Sequence, residues 1–540
     1  MAFRARASKS AIAFANYRLF LAIFIYSLGN IFYGFAAASF GGIQAMTPFA
    51  RQFGVYFPET DTYGLRAKTA SLMNSIPLIG KLVGTIIAGQ WMERFGHRYS
   101  MVFACICQLL GVVLELTTKT TVQYTAGCFM IYIAVGIVEN AVPAYASEIA
   151  PAPLRGFLVG TLQPFLNFGS LLACIVNYFC AKSTTRTGWM VATGLQGITA
   201  VLVLALLPFT PDSPRWLISR GRDREAVLAL RKVRRSDYGT EGCAAEVVAI
   251  KHSTHSTKKG SWWELFSTPV NRRRTGISVA ILTLYHLCGI TFVSIYGPTF
   301  YNQIGLESRA FAYQAVTQAC ATVAGILGMI VSDAFGRRNL TIIGTLITTA
   351  FLCIVGGIGT ISNPSTAAIN TMVAFIILYV CLLSISIGPT SYIVGAEVGT
   401  ASLREKTLAL GTAMNVVSSF VVVFTVPYLL VDAGLGSKTA FIYAGWALFT
   451  AIWAIFGLPE LKGRSLEELD ELFEVKPPLA AWKFTKYQTT GFGRLVREIE
   501  LGHNLEVKAD GAEIEDVKEG IVRIDAILPS QEVEVLAKGD

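Results

Sequence analysis

"ERFGHR" at residues 93–98 and "DAFGRR" at 333–338 are one short phrase written twice, at an offset of 240 residues (333 − 93). Two more phrases repeat in the same order. Glu148 stands seven residues before Arg155 and Glu397 stands seven before Arg404, at an offset of 249 (397 − 148). "PDSPR" at 211–215 returns as "PELKGR" at 459–464, at an offset of 248 (459 − 211). Three motif pairs in one order at nearly one spacing mean a duplicated unit.

The residues between the motifs say what that unit is. Of 540 residues, 53% are apolar and only 15% charged, with a mean hydropathy of +0.51. Soluble proteins of this size carry about 25% charged residues. The apolar residues gather into twelve runs, at 19–40, 70–91, 99–116, 122–143, 157–179, 190–210, 276–298, 312–331, 339–360, 368–393, 408–430 and 439–458. Each is near the ~20 residues that cross a bilayer as a helix. Helix is expected because lipid offers backbone groups no partner outside the segment. The 49 glycines fit closely packed membrane helices. The chain therefore reads as an all-α membrane protein of two related halves, six spans each. Two such halves make the usual carrier arrangement, with a site near the midplane.

The expected divisions are a cytoplasmic N-terminus (1–18), a first bundle (19–210), a central loop with helices (211–275), a second bundle (276–458) and a cytoplasmic tail (459–540), polar and disordered from about 475. In the central loop "REAVLALRKVRR" has the spacing of an amphipathic helix. The first run follows a basic start without a cleavage pattern, so it reads as span one and not a signal peptide.

The net charge of +9 does not point to nucleic acid. Its Lys and Arg sit in short loops on one side of the spans, as in Arg94, Arg98, Arg155, Arg337, Arg338, Arg404 and Lys406. That side is expected to be cytoplasmic, with both termini inside. Most of the ten Cys lie in apolar runs, where they act as small hydrophobes. There is no phosphate-cradling Walker loop and no metal-ligand spacing among the five His. An enzyme is not expected, nor a cofactor or metal.

The repeated motifs put charges at the ends of helices, where they reach water. Glu93, Arg94, Arg98, Glu148 and Arg155 in the first half, and Asp333, Arg337, Arg338, Glu397 and Arg404 in the second, are expected to form a cytoplasmic gate whose acid–base pairs hold the halves together. Plain insertion signals are the blander alternative; the duplicated spacing favours the gate.

These residues resemble the sugar porter family of the major facilitator superfamily, to about residue 475. The stretches that carry the resemblance are "GQWMERFGHR" (89–98), "PAYASEIAPAPLRG" (143–156), "PDSPRWLISRG" (211–221), "SDAFGRR" (332–338), the Glu397 to Arg404 spacing and "LPELKGRSLEELDELF" (458–473). The 143–156 stretch and the long loop after span one look like fungal members. The resemblance implies two six-helix bundles working by alternating access on a sugar or sugar-like polyol. It also implies site residues. A family Gln on span five, eight residues after the motif Arg, falls on Gln163. A span-ten aromatic, four residues after Gly388 and five before Glu397, falls on Tyr392. A span-eleven amide, eleven residues after Arg404, falls on Asn415. Amides suit sugar hydroxyls and aromatic faces suit the apolar side of the ring.

Two departures stand out. On span seven the family's amide-rich run is replaced by "YHLCGIT", placing Tyr285, His286 and Thr291 at the site. This leaves a disaccharide, a polyol, an acidic ring compound or a secondary metabolite open beside a hexose. Proton-coupled members carry an Asp on span one and often an Arg on span four; here Ala36 and Cys128 stand there. Losing both implies facilitation down the substrate gradient. The alternative is a substitute proton site at Glu139 or His286, because intramembrane acids are functional by default and His titrates near neutrality. An exporter or a non-transporting sensor on the same scaffold also stays open. The expected partners are the lipid bilayer, the small substrate and, in the coupled case, protons. A monomer in the plasma membrane is expected, with the vacuolar membrane as the rival site.

Overall fold

The structure, a computed structural model, describes residues 16–57, 62–150, 158, 161–234, 240, 243–244, 246–247, 261–306, 309–361, 364–400, 403–462, 464, 466–475 and 480–484. Arg155 and the tail beyond 484 lie outside them. Among the described residues, ten helical segments are long and apolar enough to cross a membrane. One of them, Ala67–Leu116, holds spans two and three, divided at Gly96. Leu162–Cys180 supplies the described part of span five, so each of the twelve spans read in the sequence contains helix. Span one is Tyr17–Ile43, span four Thr121–Ile149 and span six Thr187–Leu206. In the second half, spans eight, nine, eleven and twelve are Ala310–Phe335, Arg337–Ile358, Arg404–Pro427 and Ala440–Gly457.

The opening phrase shows why it is repeated. Gly96 (φ 85, ψ 169) and Gly336 (φ 89, ψ 155) turn the chain between spans two and three and between spans eight and nine. That backbone suits glycine and strains any L side chain. The duplicated "FG" is thus the same tight turn made once per half.

Spans seven and ten are each broken. Span seven runs Pro269–Leu287, passes through Gly289 (φ 90) and resumes as Ile290–Gln303. Span ten runs Thr366–Ile385, breaks at Ser386 and resumes as Ile387–Glu397. Span seven starts at Pro269, inside what the sequence places in the central loop. Its first turns carry Arg272 to Arg274, which hydropathy reads as loop. Arg274 is nevertheless buried, bonded to Asp470 of the helix Leu466–Glu474.

Each half has its own apolar core. One joins Leu19, Tyr26, Met101, Val138, Tyr145 and Val203. The other joins Tyr285, Tyr296, Tyr301, Tyr379, Val423 and Tyr443, and also takes in Leu78 of span two. In the central loop, Ser213 caps the short helix Pro214–Ser219 through the Trp216 amide. The amphipathic helix runs Asp223–Val233 and buries Ala226, Val227, Leu230 and Val233, a stripe of helical period. The loop after span one holds the helix Thr47–Phe53 and a small antiparallel hairpin, Val55–Phe57 with Thr62–Gly64.

Candidate functional site

The break in span seven builds a polar knot. His286 lies in the last turn before the break and Thr291 just after it, and His286 Nδ1 meets Thr291 Oγ1 at 2.5 Å. On its other side His286 Nε2 lies 3.0 Å from Asn415 Oδ1 of span eleven. Asn415 is fully buried and donates through Nδ2 to the Leu282 carbonyl at 2.9 Å. That donation fixes the amide orientation, so Oδ1 faces the imidazole and Nε2 is assigned the proton. Nδ1 then accepts from the Thr291 hydroxyl. The Tyr285 ring lies 5.0 Å from the His286 ring and 6.5 Å, edge-on, from Tyr392 of span ten. Tyr285, His286, Thr291, Tyr392 and Asn415 therefore come together in the second half.

Gln163 is placed apart from that knot. It is half-buried on span five and donates to Asn167 Oδ1 at 3.0 Å. Asn167 in turn donates to the Ala321 carbonyl of span eight at 3.2 Å. No hydrogen bond among the described residues joins Gln163 to the His286 group.

Glu139 is also placed, with a partner the sequence reading passed over. Lys81 of span two lies 3.1 Å from both Glu139 oxygens and 2.8 Å from the Tyr33 hydroxyl of span one. Both charged side chains are 5% exposed. The signal was there in "IGKLVGT", a lone cation in an apolar run; an intramembrane charge is to be read with a partner. Ala36 is buried in the first core, and Cys128 donates its thiol to Glu115 Oε1 at 3.0 Å.

At the end that carries the motifs, Glu148 accepts from His97 at 2.9 Å and also bonds Ser213 Oγ. Arg337 reaches Glu397 at 3.2 Å. These two pairs occupy matching places, since 337 − 97 = 240 and 397 − 148 = 249 are the motif offsets. The Glu93 carbonyl accepts from Trp216 Nε1 at 3.1 Å and from Arg220 at 2.9 Å, and the Arg94 carbonyl accepts from Arg220 at 2.8 Å. Arg98 is half-buried beside them, and half-buried Arg404 opens span eleven. Arg338 donates to the Ile455 carbonyl at 2.9 Å. Arg155 and the Asp333 side chain lie outside the described residues.

Sequence reasoning missed Glu460, the acid of "PELKGR". Its carboxylate accepts from the Arg337 amide at 2.9 Å and from the Arg338, Leu461 and Lys462 amides at 3.1 Å each. It also missed His97 as the partner of Glu148.

The expected gate bridges the halves, but both pairs, His97–Glu148 and Arg337–Glu397, join elements within one half. Among the described residues, hydrogen bonds between the halves run from Asn167 of span five to the Ala321 carbonyl of span eight and also form at the end opposite the motifs. There Ser71 Oγ of span two donates to the Phe424 carbonyl of span eleven at 2.7 Å, and Gln44, just after span one, donates to Ile295 of span seven at 3.4 Å.

Residues 22–473 match the model of the family described as sugar (and other) transporter. The chain belongs to the sugar (and other) transporter family. A probable glucose transporter of Neurospora crassa is 29% identical over 465 residues, spanning 83% of this chain and 77% of that protein. A high-affinity glucose transporter of Schizosaccharomyces pombe is 28% identical over 472 residues, spanning 85% and 87%. Among solved structures, the proton:xylose symporter bound to 6-bromo-6-deoxy-D-glucose superposes with a TM-score of 0.69 at 26% identity, covering 84% of this chain and 99% of that one. The inward-open xylose transporter from E. coli superposes equally well, with a TM-score of 0.69 at 25% identity, covering 84% and 100%. The fold is that of the major facilitator superfamily, twelve helices in two pseudo-symmetric bundles. A sugar (and other) transporter of this kind is a multi-pass membrane carrier that works by alternating access, and not an enzyme.

Proposed function

We propose that this carrier moves a sugar or sugar-like polyol, bound between the halves by the knot of His286, Thr291 and Asn415, with Tyr285 and Tyr392 as the aromatic faces and Gln163 contributing from the first half. The observation that carries the reading is the break in span seven. It lets Thr291 bond one side of His286 while the other side meets Asn415, and broken helices mark the substrate site in carriers. Neutral donors and acceptors beside tyrosine rings are what a polyhydroxylated ring needs.

The motif end is assigned to the cytoplasm by its basic loops, which puts both termini inside, in the plasma membrane. The bonds at Ser71 and Gln44 then lie outside. His97–Glu148 and Arg337–Glu397 then brace each half as it rocks, at the same end as the expected gate of Glu148 with Arg155 and Glu397 with Arg404.

Facilitation follows from Ala36 and Cys128 in the usual coupling places. The Lys81–Glu139 pair favours a second reading, in which Glu139 carries a proton with the substrate. Uptake of radiolabelled sugars and polyols into a transport-deficient host tests the function, and a protonophore separates the two readings. Equilibration untouched by protonophore supports facilitation; accumulation that collapses supports coupling. No uptake of any sugar or polyol, with an internal metabolite building up on deletion, would replace the proposal with export.

A further inference from the structure

We propose that the Lys81–Glu139 pair is an exchangeable site for a carboxylate, so that the preferred cargo is a polyhydroxylated monocarboxylate, a sugar acid, entering with one proton. This rests on the transporter reading in its coupled form and names its substrate class.

The pair is built into the wall of the central interface. Spans two and four approach backbone to backbone: a Cβ at Gly136 would lie 2.2 Å from the Lys81 carbonyl, and one at Gly84 would lie 2.2 Å from the Ile133 carbonyl. Glu139 is three residues beyond Gly136, nearly one helical turn, so this contact sets its carboxylate against Lys81. Leu78, one turn before Lys81, belongs to the apolar core of the other half, and Leu82 and Tyr132 pack against that core. Lys81 therefore faces the second bundle. The Tyr33 ring lies 4.9 Å below its ammonium. Tyr132 of span four, Tyr392 of span ten, and Tyr285 and His286 of span seven lie within electrostatic reach of it. The titratable groups around the pair are thus Tyr33, Tyr132, Tyr285, His286 and Tyr392.

A neutral polyol needs none of this charge, because the Asn415 knot and the tyrosine hydroxyls already offer neutral donors and acceptors. Two charges taken out of water carry a heavy desolvation penalty, and in a membrane they mark a pathway or a site. The arithmetic of charge selects the ligand. Lys81 and Glu139 sum to zero. A ligand carboxylate alone would leave one net negative charge in a low-dielectric site. If Glu139 takes a proton from the outer solution as the ligand carboxylate takes over Lys81, the sum stays at zero. On the inside the carboxylate leaves, Glu139 gives its proton to water, and the Lys81–Glu139 pair closes again as it stands in this structure. Tyr33 and Tyr132 can donate to the second carboxylate oxygen, and the Asn415 knot takes the ring hydroxyls.

The probes are galactose and galacturonate, which differ at one carbon. Uptake of each is measured in proteoliposomes holding the full chain, at outer pH 5 and 7 with the inside at pH 7, for the wild type, Glu139→Gln and the double variant Lys81→Met with Glu139→Gln. The double variant leaves no lone charge and guards against misfolding. The expected result is galacturonate uptake that quickens as outer pH falls, with one proton per acid in a pH-dye readout. Glu139→Gln abolishes the proton movement. The double variant lowers galacturonate uptake about thirtyfold or more, the loss expected when a buried ionic partner is removed, and lowers galactose exchange at equal pH on both sides far less, since exchange needs no net proton movement. If galactose moves while galacturonate neither moves nor competes with it, the inference is overturned and the sugar-carrier function stands. If neither moves, both fall.

Discussion

Replacing Glu460 by Gln changes one atom and should unsettle the whole motif end of the second half. Glu460 is 8% exposed and its two oxygens take four backbone N–H groups, three on Oε1 and one on Oε2. Two of the donors, Arg337 and Arg338, are the first residues of span nine, whose opening amides have no partner within the helix and carry the positive end of its dipole. In Gln the second oxygen becomes an NH2 group facing the Arg338 N–H, so one bond turns into a clash of donors. The other three weaken from charged to neutral. Hydrogen bonds to a charged group contribute about 1.5–3 kcal/mol and neutral ones about 1 kcal/mol. Losing one and weakening three gives roughly 3–9 kcal/mol. If the second half unfolds as a unit of about 200 residues, each kcal/mol moves the midpoint about 2–4 °C, so the shift is on the order of 10 °C. The same chemical change at Glu225 is the control. That acid pairs with Arg222 on an exposed helix face, with side chains 51% and 47% exposed, and surface pairs of this kind contribute little. Thermal unfolding of the detergent-purified protein, followed by tryptophan fluorescence, gives both midpoints. Equal midpoints for the two variants would refute the assignment of Glu460 as the cap that fastens span nine to the end of span twelve.

Asn415→Ala removes the partners of His286 and of the Leu282 carbonyl from a fully buried place. Stranding a buried polar group costs about 1–3 kcal/mol, so KM for the transported substrate should rise roughly tenfold while surface expression holds. Gly169→Ala would set a Cβ 2.1 Å from the Ile31 carbonyl where spans one and five touch. Overpacking of this kind costs about 1–3 kcal/mol and should lower both melting temperature and yield. Glu115 is buried at 1% exposure with the Cys128 thiol as its hydrogen-bond partner. Glu115→Gln keeps the shape and cannot ionise, so the melting temperature should stay or rise; a fall of several degrees would mean that a charged Glu115 is needed.

The fold was open to reading because lipid imposes simple rules on sequence. Apolar runs of bilayer length must be helices, the repeated motifs give the duplication, and the paired "FG" turns are local backbone events at Gly96 and Gly336. Three-dimensional partners are another matter. His286, Thr291 and Asn415 could be named from the chain, yet the sequence could not say that Asn415, 129 residues after His286, would hold its Nε2. Glu139 was visible as a lone acid in a membrane helix. That Lys81 is its partner depended on how Gly80, Gly84 and Gly136 let two helices approach. The motif charges were legible as charges at helix ends, but hydropathy carries no information on which helix each will face. Only packing decided that His97 meets Glu148, that Arg337 meets Glu397 and that Glu460 gathers the amides of span nine. Periodicity and composition act along the chain and are written there. Ion pairs and hydrogen bonds between distant segments depend on helix rotation and crossing, which are set by the close fit of small residues across the bundle.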